Sequence, residues 1–178
     1  MAFDLGEVRS GSDECEHVRS AVSASTRRAA HGIPRCFVAG TLVHTPHGPI
    51  PIERLMEDMP LFGRPDAATG DPAPYAIAGR LFGQTRTLYH VTIEGGHRIA
   101  STRNHPFHVF GVGWKDAHEL LPGDLLETID GHTVAVAAVE KQQLDGWRLT
   151  FNVHVARAST YYVGAAGGPA LWVHNGRR

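Results

Sequence analysis

Three short stretches of this sequence carry residue types that can break a peptide backbone. The run Cys36-Phe37-Val38-Ala39-Gly40-Thr41-Leu42-Val43 opens on a thiol, and Leu171-Trp172-Val173-His174-Asn175-Gly176 closes on a His-Asn pair. Between them lies Thr102-Arg103-Asn104-His105. A thiolate at Cys36 can attack the carbonyl of Arg35, leaving a thioester and a free amine at Cys36. That step runs uphill for an ordinary peptide bond. The fold must therefore distort the bond, stabilise the tetrahedral oxyanion and protonate the departing amine. A free cysteine has a pKa of about 8.5, so local activation also helps. The Thr102 hydroxyl can hydrogen-bond the scissile amide or its oxygen. The His105 imidazole, with an unperturbed pKa of about 6.5, can donate the proton that the nitrogen needs. Their i, i+3 spacing at a strand end, followed by Pro106, places both near a turn.

At the other edge, the side-chain amide of Asn175 can attack its own backbone carbonyl. A succinimide forms and the Asn175–Gly176 bond is severed, with His174 polarising the carbonyl or protonating the nitrogen of Gly176. Ordinary readings stand beside these. A lone cysteine is usually a small core residue, and a lone histidine is usually partly exposed or capping. Asn-Gly is a common turn dipeptide, and it also deamidates by a route that leaves the chain intact. Taken together, the two edges point to a chain whose substrate is itself.

These groups need a scaffold, and the patterning from Cys36 onward is β. Phe37 to Thr45 is apolar and rich in β-branched residues, with a turn at His47-Gly48-Pro49. Glu94-Gly95-Gly96 joins Leu88–Ile93 to His97–Thr102, and Asp130-Gly131 joins Leu126–Ile129 to Thr133–Val139; both read as hairpins. Trp147–Val155, Thr160–Val163 and Ala170–His174 complete the strands. Short helices are expected over Ile52–Met59 and Asp116–Leu121, and a loop over Gly63–Ala78. Residues 1–35 differ. Ser12 or Asp13 could cap a helix whose stripe of Val18, Ala21 and Val22 is thin, so this flank reads as a weakly helical linker.

Composition sets outer bounds. The 178 residues are 42% hydrophobic and 20% charged, which suits one globular domain with flanking sequence. The 17 basic and 18 acidic residues nearly cancel, so no charge excess points to nucleic acid or to a membrane surface. No apolar run is long enough to span a bilayer, and Met1–Glu7 lacks a signal-peptide layout, which leaves the compartment unassigned. The two cysteines, Cys15 and Cys36, argue against a disulfide scaffold. The 12 histidines include His105-Pro106-Phe107-His108, but no ligand cluster has finger spacing, so neither a structural metal nor a cofactor is expected. Zinc as an inhibitor, on Cys36 and a nearby histidine, stays open.

The matching text extends beyond the two edges. It includes Pro51-Ile-Glu-Arg-Leu, Ser101-Thr-Arg-Asn-His-Pro-Phe, Gly113-Trp-Lys-Asp-Ala-His-Glu-Leu and Pro122-Gly-Asp-Leu-Leu. It continues with Phe151-Asn-Val, Thr160-Tyr-Tyr-Val-Gly and Trp172-Val-His-Asn. In these motifs and their order, residues 36–175 resemble the Hint family of hedgehog autoprocessing segments and inteins, most closely its bacterial intein-like and polymorphic-toxin branch. The resemblance implies an all-β, horseshoe-like fold of short twisted strands with one or two short helices, and the two edges side by side on central strands. It divides the chain into an extein-like flank (1–35), a minimal autoprocessing domain (36–175) and a C-terminal flank (176–178). By resemblance, Cys36 is the acyl-shift nucleophile, Thr102 and His105 form the family's Thr-x-x-His motif, and His174 and Asn175 form its closing pair. The implied partner is the chain's own flanking polypeptide, with small thiols or other nucleophiles able to intercept the thioester. The branch further implies a toxin cargo and a secreted parent protein.

Three departures bear on the outcome. Splicing wants Cys, Ser or Thr after the closing Asn, and Gly176 has no side chain to receive the acyl group, so separate cleavage at each edge is expected. Asn152 aligns with a position where inteins often carry an Asp that couples the two edges; it can hydrogen-bond but cannot act as acid or base. Its ordinary reading is a polar strand residue facing solvent. Where the family commonly has His before Thr-Tyr-Tyr-Val, this chain has Ser159, and His154 is the nearest substitute. Two other readings remain: a degraded, non-cleaving Hint module serving as a spacer or interaction domain, and a cysteine hydrolase acting in trans through Cys36 and His105.

Overall fold

The computed structural model describes residues 35–65 and 70–175. The expected helical flank, except for Arg35, lies outside the described residues, as do 176–178 and the structure of Gly176. Within the described chain, the β-branched and aromatic runs form strands. These are β1 (Phe37–Val38), β2 (Leu42–Thr45), β3 (Gly48–Pro51), β4 (Pro60–Gly63), β5 (Ala73–Ile93) and β6 (Arg98–Ser101). There follow β7 (Pro106–Val109), β8 (Gly113–Asp116), β9 (Leu125–Glu127), β10 (Thr133–Val155), β11 (Thr160–Gly164) and β12 (Leu171–His174). They pair antiparallel in the order β3-β2-β11-β12-β7-β9-β10-β1-β6-β5-β4, with β8 beside β7 and β5 also paired to β10. The all-β expectation holds.

The long strands β5 and β10 are the frame. Their ribbon runs from Val136↔Ile93 to Val155↔Ile77, and register shifts at 136/138, 143/148 and 154/155 bend it. At the middle shift, residues 144–147 bulge out opposite Arg86. Trp147–Val155 is thus the second half of one strand that begins at Thr133, not a separate one. Both glycine-marked hairpins form as read: Gly95 and Gly96 sit at φ +88 and +81, and Gly131 at φ +78. The first β-turn occupies Pro46-His47, one residue earlier than expected, so that Gly48, at φ +103, opens β3 opposite Thr45.

Three local expectations are corrected. Only Ile52–Arg54 is helical in the first predicted helix, as a single 3-10 turn; Leu55 is already extended at φ −65, ψ 143. The next backbone groups pair with β5 instead, Asp58 N–H to the Ile77 carbonyl and Ile77 N–H to that of Met59. No helix forms over 116–121: Asp116 closes β8, and 117–119 form a hydrogen-bonded turn. Their N–H groups are spent across the fold, Ala117 to the carbonyl of His105 at 2.9 Å and His118 to that of Arg103 at 3.2 Å. The expected loop Gly63–Ala78 is strand from Ala73, because Ala73–Ala76 pair with β4 despite weak β propensity.

The core contains Phe37, Val91, Phe107, Val153, Tyr161, Leu171 and Val173. A smaller cluster of Tyr162, Ala170 and Trp172 lies against Phe62 and Trp114. Gly63 marks a close approach between layers: a Cβ there would lie 2.6 Å from the backbone oxygen of Thr160.

Candidate active site

Strand pairing brings the distant motifs together. β1 carries the N-terminal edge and pairs with β10 (Phe37↔Phe151, Val38↔Thr150) and with β6 (Phe37↔Ser101). Continuing the first register sets Cys36 opposite Asn152. β12 carries the C-terminal edge and pairs with β11 (Thr160↔His174) and with β7 (Phe107↔Val173). The stretch 102–105 is the link from β6 to β7. It therefore passes from the strand beside one edge to the strand beside the other, and its ends deliver Thr102 and His105. Cys36, Thr102, His105, Asn152, His174 and Asn175 are all buried.

The Arg35–Cys36 bond is gripped from both sides. The Cys36 N–H donates to Thr102 Oγ1 at 2.9 Å, and the Thr102 N–H donates to the Cys36 carbonyl at 2.8 Å. The Arg35 carbonyl accepts from Asn152 Nδ2 at 2.5 Å. Thr102 thus holds the nitrogen that would leave, and Asn152 holds the oxygen that would become an oxyanion. Asn152 faces inward, not to solvent, and its Oδ1 accepts from the Val153 N–H at 2.8 Å and the Tyr161 hydroxyl at 2.7 Å.

The titrating groups are not poised at rest. Burial raises the Cys36 pKa to about 11, and the neighbouring buried Thr150 hydroxyl only partly opposes this. At neutral pH roughly one thiol in ten thousand is then ionised. Burial lowers the His105 pKa to about 3; contact with the Arg35 backbone opposes the shift, and the charges of Arg35 and His174 add to it. The cause is an aromatic cage. The Phe37 ring centroid lies 3.9 Å from the His105 ring, with Phe107 and Tyr161 edge-on at 5.9 and 6.5 Å. His105 is neutral at neutral pH, with one N–H and one lone pair.

The C-terminal edge is arranged differently. The Asn175 N–H donates to the Ser159 carbonyl at 2.9 Å, and among the described residues the Asn175 carbonyl receives only the long contact of 3.5 Å from Asn152 Nδ2. The buried side-chain amide of Asn175 has no hydrogen-bond partner among the described residues. His174 packs against the edge of Trp114, ring centroids 5.2 Å apart. Behind it, Arg64 stacks on the Trp172 ring at 3.6 Å and pairs with Glu127. Ser159 is half-buried in the left-handed region, φ +58. His154 is exposed on β10 and makes no hydrogen bond to the closing pair among the described residues, so it does not fill the position that Ser159 leaves without an imidazole. No group of three or more His, Cys, Asp or Glu is placed to hold a metal among the described residues.

The pretoxin Hint domain model matches residues 42–176. The chain belongs to the pretoxin Hint family. The solved bacterial intein-like domain of Clostridium thermocellum is similar to this Hint domain at 29% identity and a TM-score of 0.75, covering 80% of this chain and 100% of its own. A DnaB intein from Synechocystis sp. PCC 6803 covers 80% of this chain and 99% of its own, at 16% identity and a TM-score of 0.66. The gp41-1 intein matches at 16% identity and a TM-score of 0.62, over 79% of this chain and 98% of its own. At that identity the two inteins speak for the fold alone. No curated protein matches the sequence. Family and fold together support autocatalytic processing, with the flanking polypeptide as substrate.

Sequence reasoning missed Tyr161 and Thr150. Thr150 stands two residues before Asn152 on the same face of β10, a period-2 signal that was available. Tyr161 lies inside the Thr160-Tyr-Tyr motif, but its partner Asn152 is on β10, a strand not paired with β11, so only the folded core brings the two together.

Proposed function

We propose that this Hint domain cuts its own chain at Arg35–Cys36 and at Asn175–Gly176 without joining the flanks. The observation that most supports this is the two-sided grip on Arg35–Cys36, with Thr102 on the nitrogen and Asn152 on the oxygen. In the first cut, Cys36 Sγ bonds to the Arg35 carbonyl carbon and the bond to the Cys36 nitrogen breaks. The thiol first gives its proton to solvent; neutral His105 then donates its N–H to that nitrogen, which leaves as an amine, and His105 recovers a proton from solvent. Water or an added thiol then takes the acyl group and releases residues 1–35. In the second cut, Asn175 Nδ2 bonds to its own carbonyl carbon and the bond to Gly176 breaks. One amide proton leaves for the Gly176 amine, with His174 as the adjacent donor and acceptor. Gly176 offers no nucleophile, so each flank departs alone. Each molecule acts once on itself, with no cofactor.

Purified full-length chain followed by intact mass should yield residues 1–35 and the Hint domain, faster with added thiol. The rate should be first-order and unchanged on dilution. Dependence of the rate on concentration would favour hydrolysis in trans. A specific observation favours a second reading, a non-cleaving module: the Cys36 thiol is buried and its pKa stands near 11. A chain that stays intact through long incubation with thiol would establish that reading and end the first.

A further inference from the structure

The orientation of the Asn152 amide is decided by chemistry, because its neighbours fall into two kinds. On one side stand a backbone N–H (Val153) and a phenol O–H (Tyr161), at 2.8 and 2.7 Å. On the other stand two carbonyl oxygens, those of Arg35 and Asn175, at 2.5 and 3.5 Å. A backbone N–H only donates and a carbonyl only accepts, so Oδ1 must face Val153 and the NH2 must face the carbonyls. The two hydrogens of that group are then aimed at the two carbonyls that the proposed reactions attack, one at each edge.

Tyr161 holds this arrangement from a rigid place. It sits on β11, next to β12, and is fully buried. Its ring stands edge-on to Phe37 and to His105 at 6.4 and 6.5 Å, so the hydroxyl cannot swing away without disturbing the cage. Burial raises its pKa well above the ordinary phenol value, which keeps the hydroxyl a donor at every working pH. The Val153 N–H alone would fix the position of Oδ1 but leave the amide plane free to tilt. The second donor fixes that plane, and with it the aim of both N–H bonds.

We propose that Tyr161 is a positioning residue for both cleavages, its hydroxyl locking the Asn152 amide so that one NH2 group serves as donor to the Arg35 and Asn175 carbonyls. This rests on the self-cleavage reading for its consequence, though the lock itself does not. Each hydrogen of the one NH2 group serves one edge, with the shorter contact to Arg35 and the longer to Asn175.

The test is Tyr161→Phe in the full-length chain, which removes one oxygen and keeps the ring. Both first-order rates should fall, the first by about tenfold and the second by about threefold, in each case a fraction of the loss expected when the Asn152 donor is removed outright. In an Asn152→Ala background the same change should cost nothing further, since there is no amide left to position. Wild-type rates in Tyr161→Phe, or a full additional loss on top of Asn152→Ala, would overturn the proposal. A chain that never cuts would defeat the cleavage reading instead. The lock is then read without cleavage, in a Cys36→Ala chain, from hydrogen exchange of the Asn152 side-chain amide by NMR. Exchange should quicken with Tyr161→Phe; unchanged exchange would sink the lock whatever the cleavage result.

Discussion

The two edges of the domain solve opposite halves of the same problem. At Arg35–Cys36 the bond is held and the nucleophile is suppressed: both scissile atoms have partners within 2.9 Å, while the thiol sits near pKa 11. At Asn175, among the described residues, the side-chain amide has no hydrogen-bond partner and the carbonyl is reached only at 3.5 Å. The contrast teaches where each barrier lies. On the proposed self-cleavage, the first edge would have its oxyanion donor in place and lack an ionised attacker. The second would need no ionisation, since a neutral amide would be its attacker, but its carbonyl would have to be drawn toward a donor.

The largest effects should separate the edges completely. Cys36→Ala should abolish the first cut, and Asn175→Ala the second, each leaving the other product visible by intact mass. A first cut that survived Cys36→Ala would remove the comparison altogether. Next in size is Asn152→Ala. Losing an oxyanion donor costs about 10²–10³ in rate, and the shorter contact should bear the larger share. The first cut should therefore slow by about a hundredfold and the second by about tenfold; equal losses would mean that the 2.5 and 3.5 Å contacts do not report on function. The third effect is one of pH. Thiolate is the attacking form and its pKa stands near 11, so the first cut should quicken about tenfold per pH unit between about pH 7 and about pH 10, and slow toward acid. His105, held near 3, stays neutral over that span and adds no inflexion near 6.5. A profile that levels off at about pH 8.5 would show that the thiol is activated before attack.

What could be read from the sequence divides along a physical line. Hairpins at 94–96 and 130–131 were legible because glycine at positive φ is a local requirement. The helices expected at 52–59 and 116–121 failed because their backbone groups bond to partners far along the chain, such as Ala117 to His105. The residues of the two edges were legible as types in a motif, and so was the closeness they imply. Their electrostatic state was not. The low pKa of His105 comes from Phe37, Phe107 and Tyr161, which converge only once β1, β7 and β11 are in place. Asn152 reaches Arg35 across 117 positions of sequence. Whether such an amide faces solvent or a scissile carbonyl is a matter of register, not of residue type.

The smallest expected effect tests whether the loose edge is loose for want of one side chain. The backbone oxygen of Ser159 holds the Asn175 N–H at 2.9 Å, so any group at 159 starts beside the closing residue. Ser159 is in the left-handed region at φ +58, a conformation that histidine enters more readily than most residues. Ser159→His should therefore fold without large strain and place an imidazole where His154, exposed on β10, cannot reach. The second cut should quicken by roughly three- to tenfold, at the low end for an added general acid or base at a position not shaped for it. The first cut should not change. Ser159→Ala supplies the control, because it keeps the backbone contact and adds no proton donor. Equal acceleration in both variants would assign the effect to relaxed backbone strain, and the weakness of the second edge would then lie in its distance from Asn152 and not in a missing acid.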